Sequence, residues 1–233
     1  MSALGLSSSA PAAGTLRVLA ALLSYPDAHR RGHLSEMAKI LRCERALPGS
    51  RLAELEALIE RLGGNDPLDV EADYVHLFDR GRATSLHLFE HVHGDSRDRG
   101  PAMIDLAQTY AKAGLFLAEG ELPDFLPAVL EFASTQPPRE GRAFLAEMTH
   151  IFNAIFAALQ QRRSDYASVF GALLELAGEQ AQPMHVEAED PIDAVWEEPP
   201  VFDGCSSKGQ ARPDRPQPIR IVRSDNPVKG ARA

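Results

Sequence analysis

Apolar residues recur at helical spacing along nearly the whole chain up to about residue 180, and no stretch alternates long enough to build a sheet. Leu16, Leu19, Leu22 and Leu23 form a first stripe, with Thr15 in N-cap position and Pro26 beyond the end. Leu34, Met37, Ile40 and Leu41 form a second. Leu52, Leu55, Ile59 and Leu62 form a third, with Ser50 before it and Gly63-Gly64 after it, the start-and-stop asymmetry of a helix. Asp66-Pro67 opens a fourth, carrying Leu68, Val75, Leu77 and Phe78. Residues 79–101 interrupt the pattern with Arg, Asp, His and Gly around one short apolar piece, Leu86 to Val92. The helical period returns over Ala102–Ala118, over Phe125–Phe132, in a long run from Phe144 to Leu159, and behind Ser164-Asp165 in a last stripe with Val169, Phe170, Leu173, Leu174 and Leu176. Asn-Gly hairpin signals and internal repeats are absent. The pattern predicts one all-α domain over residues 1–185, built from seven to nine helices.

A body of that size buries about 70% of its unfolded surface, so it needs no covalent staple. The two cysteines, Cys43 and Cys205, are too few for a disulfide framework or a four-thiolate metal site, and they fit a reducing compartment. Cys43 lies on a helical stripe and is expected as a small buried hydrophobe. The formal charge is −9, from 24 Lys and Arg against 33 Asp and Glu. That balance argues against binding a phosphate backbone and favours attraction to a basic partner. No segment approaches the roughly 20 apolar residues that span a bilayer. The first residues lack the charged and apolar regions of a signal peptide, and Arg30-Arg31 is not followed by an export signal. The chain is expected to stay where it is made, in the cytoplasm.

The composition changes near Gln182. Residues 186–233 hold seven of the 17 prolines. Val186 to Asp203 has seven acidic residues and no Lys or Arg, whereas Gly204 to Ala233 has seven basic residues against two acidic ones. Such a segment buries too little apolar surface to offset its ordering entropy, so a disordered, solvated tail is expected. Val195-Trp196 and Val201-Phe202 are exceptions inside the acidic half, suited to docking on the body or on a partner.

The polar interruption contains a literal H-x-x-E-H, with His87, Glu90 and His91. On an intact helix the two histidines would share a face, and Glu90 could act as general base to a zinc-bound water. No third ligand is evident, the surrounding arginines suit a divalent cation poorly, and Gly94 ends the helix after about two turns. The competing reading is a satisfied polar network that fixes a loop between helices. By the same logic Tyr74, Phe78 and Phe89 are expected in the core. No Walker-type phosphate loop, C-x-x-C pair or G-x-S-x-G elbow occurs.

Three motifs carry a resemblance. One runs Tyr74-Val75-His76-Leu77-Phe78-Asp79-Arg80-Gly81-Arg82 and continues through Ser85 to Gly100. The second is Glu121-Leu122-Pro123-Asp124-Phe125-Leu126-Pro127 with Leu130-Glu131-Phe132, and the third is Trp196-Glu197-Glu198-Pro199-Pro200-Val201. Together they resemble the nitrate reductase delta subunit family, the NarJ-type molybdenum-cofactor assembly chaperones, over about Leu16 to Phe202. The basic stretch from Gly204 onward has no counterpart in the resemblance. The resemblance implies an all-α chaperone without catalysis or a resident cofactor. It implies binding of the cofactor-free catalytic (alpha) subunit of nitrate reductase, especially its N-terminal segment. It also implies assistance with insertion of molybdopterin guanine dinucleotide, cytoplasmic residence and absence from the finished enzyme.

An apolar groove rimmed by carboxylates is the expected binding surface for a basic amphipathic segment. Asp79, Glu90, Asp98 and Asp124 are the expected rim. Arg80, Arg97, Arg99, His91 and His93 are expected to organise the loop or touch the client. Arg99, bracketed by Gly94 and Gly100, is expected on an exposed loop facing the client, and His91, one turn after His87, in a structural role. The alternatives are a chaperone of another molybdoenzyme, such as a sulfoxide or N-oxide reductase, and a zinc peptidase built on His87, Glu90 and His91.

Overall fold

The helical stripes are realised as eleven α-helices and one short 3₁₀ turn in a computed structural model that describes residues 12–94 and 96–182. In chain order they are α1 Ala13–Leu22, α2 Ala28–Gly32, α3 Leu34–Glu44, α4 Gly49–Gly64, α5 Pro67–Phe78, the turn Arg82–Thr84, α6 Leu88–Val92, α7 Arg99–Lys112, α8 Leu126–Thr135, α9 Pro138–Ala146, α10 Thr149–Gln161 and α11 Ala167–Ala177. No strand occurs among the described residues, and the one extended pairing is an isolated antiparallel bridge between His87 and Phe125. The tail read from residue 186 onward, with the third motif and Cys205, lies outside the described residues.

The count exceeds seven to nine for two local reasons. Asp27 caps a single extra turn, α2, its carboxylate accepting from the Arg30 N–H at 2.8 Å. The long run ending at Leu159 breaks after Ala146. There the Met148 N–H tightens onto Leu145 O (3.1 Å), and the Thr149 hydroxyl donates to Ala146 O (2.9 Å), competing with the helical ladder.

Capping chemistry holds where the sequence announces it most strongly. The Asp66 carboxylate accepts from the Leu68 N–H at 2.9 Å, with Pro67 at the first helical position. Thr15 does not cap α1. It lies inside the helix and is buried. The N-terminus of α1 is instead closed from α3, where the Glu44 carboxylate accepts from the Gly14 and Thr15 N–H groups at 3.0 and 2.5 Å. That carboxylate also complements the positive end of the helix dipole.

The core centres on α11, in which every residue from Ser168 to Leu174 is buried. A helix apolar on all sides belongs in an interior, and α11 packs against α4, α9 and α10 while α1 packs against α3 and α8. Leu19, Leu23, Leu55, Leu58, Leu130, Phe152 and Ile155 are fully buried. An aromatic chain joins Tyr25, Tyr74, Phe78 and Tyr166 with ring centroids 4.9–5.7 Å apart. Tyr74 also donates its hydroxyl to Leu23 O at 2.7 Å, and burial pushes its pKa upward. Tyr74 and Phe78 are therefore core residues as expected, whereas Phe89 is half-buried. Cys43 is exposed, because the buried face of α3 is Leu34, Met37, Ala38 and Leu41, which leaves position 43 on the opposite side. Leu68, in the first turn of α5, is 74% exposed for the same kind of reason.

Candidate functional site

The polar segment after α5 is folded around Asp124, which has no solvent exposure. Its backbone carbonyl accepts from the Leu88 N–H at 3.0 Å, and Leu126 N–H returns a bond to Leu86 O at 2.8 Å. Its carboxylate accepts from the Phe89 N–H at 3.2 Å and from His87 Nδ1 at 3.3 Å. Asp124 thus caps α6 from 35 residues away, satisfying two N–H groups that no side chain within α6 reaches. The Arg99 guanidinium lies 3.7 Å from the same carboxylate and 3.4 Å from Glu90 Oε1. Glu90 also accepts from the Ser85 hydroxyl at 2.6 Å, and His91 donates through Nε2 to Ser85 O at 2.9 Å. Hydrogen bonding to Asp124 raises the His87 pKa above its ordinary value, against the opposing effect of partial burial.

This arrangement sorts the nine expected site residues. Glu90, His91, Arg99 and Asp124 come together, with Ser85 and His87, in one network that fixes the loop to the start of α8. Two expectations are corrected by it. Asp124 cannot lie on an exposed rim, since it is enclosed. Arg99 is the first residue of α7, partly buried and ion-paired, not a free loop residue. His93 stacks edge-on against Phe89 at 5.4 Å. Arg80, Arg97 and Asp98 are exposed, and the Asp98 carboxylate accepts from the Ser96 hydroxyl at 3.3 Å. Asp79 is exposed at the C-terminal end of α5 and faces a groove.

The H-x-x-E-H pattern does not form a zinc-peptidase geometry. His87 precedes α6 in extended backbone, so it shares no helix face with His91, and all three side chains are committed to Asp124, Ser85 and Arg99. Among the described residues, no group of three His, Cys, Asp or Glu side chains is placed to hold a metal ion, and no helix is long and apolar enough to cross a membrane.

The groove runs over α8 and has two lobes. One, of about 350 Å³, is lined by Tyr25, Tyr74, Phe125 and Pro127, with Asp79 and Arg30 at its edge. The other, of about 450 Å³, is lined by Tyr110, Leu115, Phe116, Leu117 and Phe132, with Arg17 at its edge. Ala128, Glu121 and Glu131 line both. Phe116 is 84% and Tyr25 43% exposed, large apolar surface for a chain to leave in water. Sequence reasoning missed Glu121 and Glu131 as rim carboxylates, although both stand in the second motif. The available signal was the exposed face of α8, where Glu131 and Thr135 fall one turn apart.

Comparison with known proteins bears on all of this. Residues 45–172, from the end of α3 into α11, match the family model described as nitrate reductase delta subunit. The nitrate reductase molybdenum cofactor assembly chaperone NarJ of Escherichia coli (strain K12) is 44% identical over 196 residues, covering 80% of this chain and 83% of that protein. The nitrate reductase-like protein NarX of Mycobacterium tuberculosis is 37% identical over 153 residues, 65% of this chain but 22% of that longer protein. A crystal structure from Archaeoglobus fulgidus, described as a redox enzyme maturation protein, shares the fold at a TM-score of 0.50 and 20% identity, over 72% of this chain and 94% of that one. The family match spans the capped loop, α8 and most of the core, and this chain belongs to the nitrate reductase delta subunit family.

Proposed function

We propose that this protein is a dedicated assembly chaperone of respiratory nitrate reductase. It binds the cofactor-free catalytic subunit, in particular an N-terminal segment, and holds it competent for insertion of molybdopterin guanine dinucleotide. It acts in the cytoplasm, catalyses no reaction and leaves the finished enzyme. The observation that carries this reading is the 44% identity, over 80% of the chain, to a protein named for that task. The groove over α8 supports it, combining the aromatic side chains of Tyr25, Tyr110, Phe116 and Phe132 with three carboxylates, Asp79, Glu121 and Glu131, against two guanidinium groups, Arg17 and Arg30, as suits an amphipathic segment with basic residues. In this reading Asp79, Arg80, Arg97, Asp98 and His93 contact the client or border it. Glu90, His91, Arg99 and Asp124 hold the loop in shape.

The test is co-purification of the tagged full chain from nitrate-respiring cells, with mass spectrometry of what it captures. Capture of the nitrate reductase catalytic subunit lacking its cofactor is expected. Capture of a sulfoxide or N-oxide reductase subunit in its place would overturn the reading, as would full cofactor loading of nitrate reductase in cells that lack this chain.

A further inference from the structure

Glu131 stands on the exposed face of α8, and its carboxylate makes no hydrogen bond or ion pair with any described residue. Glu121 lies beside the same space, its carboxylate accepting one 3.3 Å bond from the Ala118 N–H. Both line the two lobes at once, with Ala128 between them, so the saddle of the groove is small in its floor and anionic in its walls. The axial rise of α8 sets the spacing of the lobes. Pro127 belongs to one lobe and Phe132 and Thr135 to the other, a separation of roughly 8–12 Å at about 1.5 Å per residue. Two apolar side chains at positions i and i+7 of a helical segment lie about 10.5 Å apart on one face, and positions i+3 and i+4 fall midway between them.

We infer that Glu131, with Glu121, sets the register of the bound segment by requiring a lysine or arginine at i+3 or i+4 between apolar anchors at i and i+7. The inference rests on the client-binding reading and names the specificity within it. Both lobes carry aromatic side chains in their lining, so apolar burial alone permits the segment to slip by one anchor. A cation held at the saddle fixes one alignment, because every other alignment leaves the carboxylates facing apolar surface or places the cation inside a lobe.

The test uses the purified full chain and two synthetic helical peptides of about 18 residues, long enough for marginal helicity. They are identical, with leucine at i and i+7, except for lysine or glutamate at i+4. Fluorescence anisotropy should show the lysine peptide binding about ten-fold more tightly to the wild type. Glu131→Gln should shrink that preference, and Glu131→Arg should reverse it. Glu121→Arg should shift it in the same direction, and all variants should melt within a few degrees of the wild type, since these side chains are exposed. An unaltered preference in Glu131→Arg, or no binding of either peptide at about 1 mM, overturns the inference. So does a dimer that dissolves on Phe116→Asp and binds neither peptide, which would assign the groove to a second copy of the chain. Capture of the nitrate reductase catalytic subunit, measured in parallel on the wild type and Glu131→Arg, separates the two claims. Failure of the wild type to capture it sinks the functional reading, whereas undiminished capture by Glu131→Arg sinks only the register.

Discussion

Asp124 has no exposure yet serves as acceptor for a helix N–H, an imidazole and, at longer range, a guanidinium. Removing a buried anion of this kind strands several groups together. Asp124→Ala should therefore cost about 3 kcal/mol, a fall in Tm of roughly 6–12 °C for a domain of this size. Arg99→Ala should cost about 1–2 kcal/mol, while Arg97→Ala and Arg80→Ala, both exposed, should stay within about 0.5 kcal/mol. Thermal melts of the four variants check the ordering, and an Arg99→Ala melt equal to that of Arg97→Ala would contradict it. The His87–Asp124 pair adds a pH dependence. The folded pKa of His87 is raised above its ordinary value of 6.5. Its contribution to stability is thus complete below pH 6.5 and is lost as the pH rises through the higher, folded pKa. Stability measured against pH should decline across that window in the wild type, and the decline should flatten in His87→Gln. At this scale the sequence was least legible. Among Glu121, Asp124 and Glu131 of one motif it favoured Asp124, the enclosed carboxylate, because nothing local distinguishes a carboxylate that caps a distant helix from one that faces a groove.

At the scale of elements, α6 is five residues long and has no cap within its own chain segment. Helices this short are marginal alone, and α6 stands because Asp124 closes its first turn. The 3₁₀ turn before it is held differently. Thr84 is fully buried, with its hydroxyl donating to Leu77 O. A Cβ added at Gly81 would meet Thr84 Oγ1 at 2.6 Å and Arg162 Nη2 at 2.9 Å. Gly81→Ala should therefore destabilise by about 1–3 kcal/mol through overpacking, although the backbone φ of −104° is open to any residue. Chemical denaturation read by circular dichroism checks the sign, and a neutral or stabilising result would show that the turn can move away from α10. Most longer helices were legible from periodicity. Two boundaries, at Thr15 and Ala146, shifted where the Glu44 carboxylate accepts from α1 or the Thr149 hydroxyl donates in place of the expected cap or continuation; Ser50 and Gly63-Gly64 lie inside α4 rather than flanking it, and α7 ends at Lys112 rather than Ala118.

Over the whole molecule the formal charge of −9 makes association with a basic segment a matter of steering as well as contact. The Debye length falls from about 30 Å at 0.01 M salt to about 8 Å at 0.15 M. In the proposed role the association rate with the client should accordingly fall several-fold across that range, while the dissociation rate, set by apolar burial, should change little. Stopped-flow measurement at several ionic strengths separates the two rates, and a flat association rate would show that the charge is not used.

The sequence by itself determined the all-α class, the order of the longer helices and the identity of the family, because hydrophobic period, caps and motif residues are properties of neighbours along the chain. Only the tertiary structure decided that Cys43 faces solvent, that Asp124 is enclosed and Arg99 opens α7 in an ion pair, and that Tyr25, Phe116, Glu121 and Glu131 border one groove. Those outcomes depend on how elements far apart in sequence pack. His87 and Asp124 are separated by 37 residues and Arg17 and Ser134 by 117, and burial is set by such meetings rather than by the residue that takes part in them.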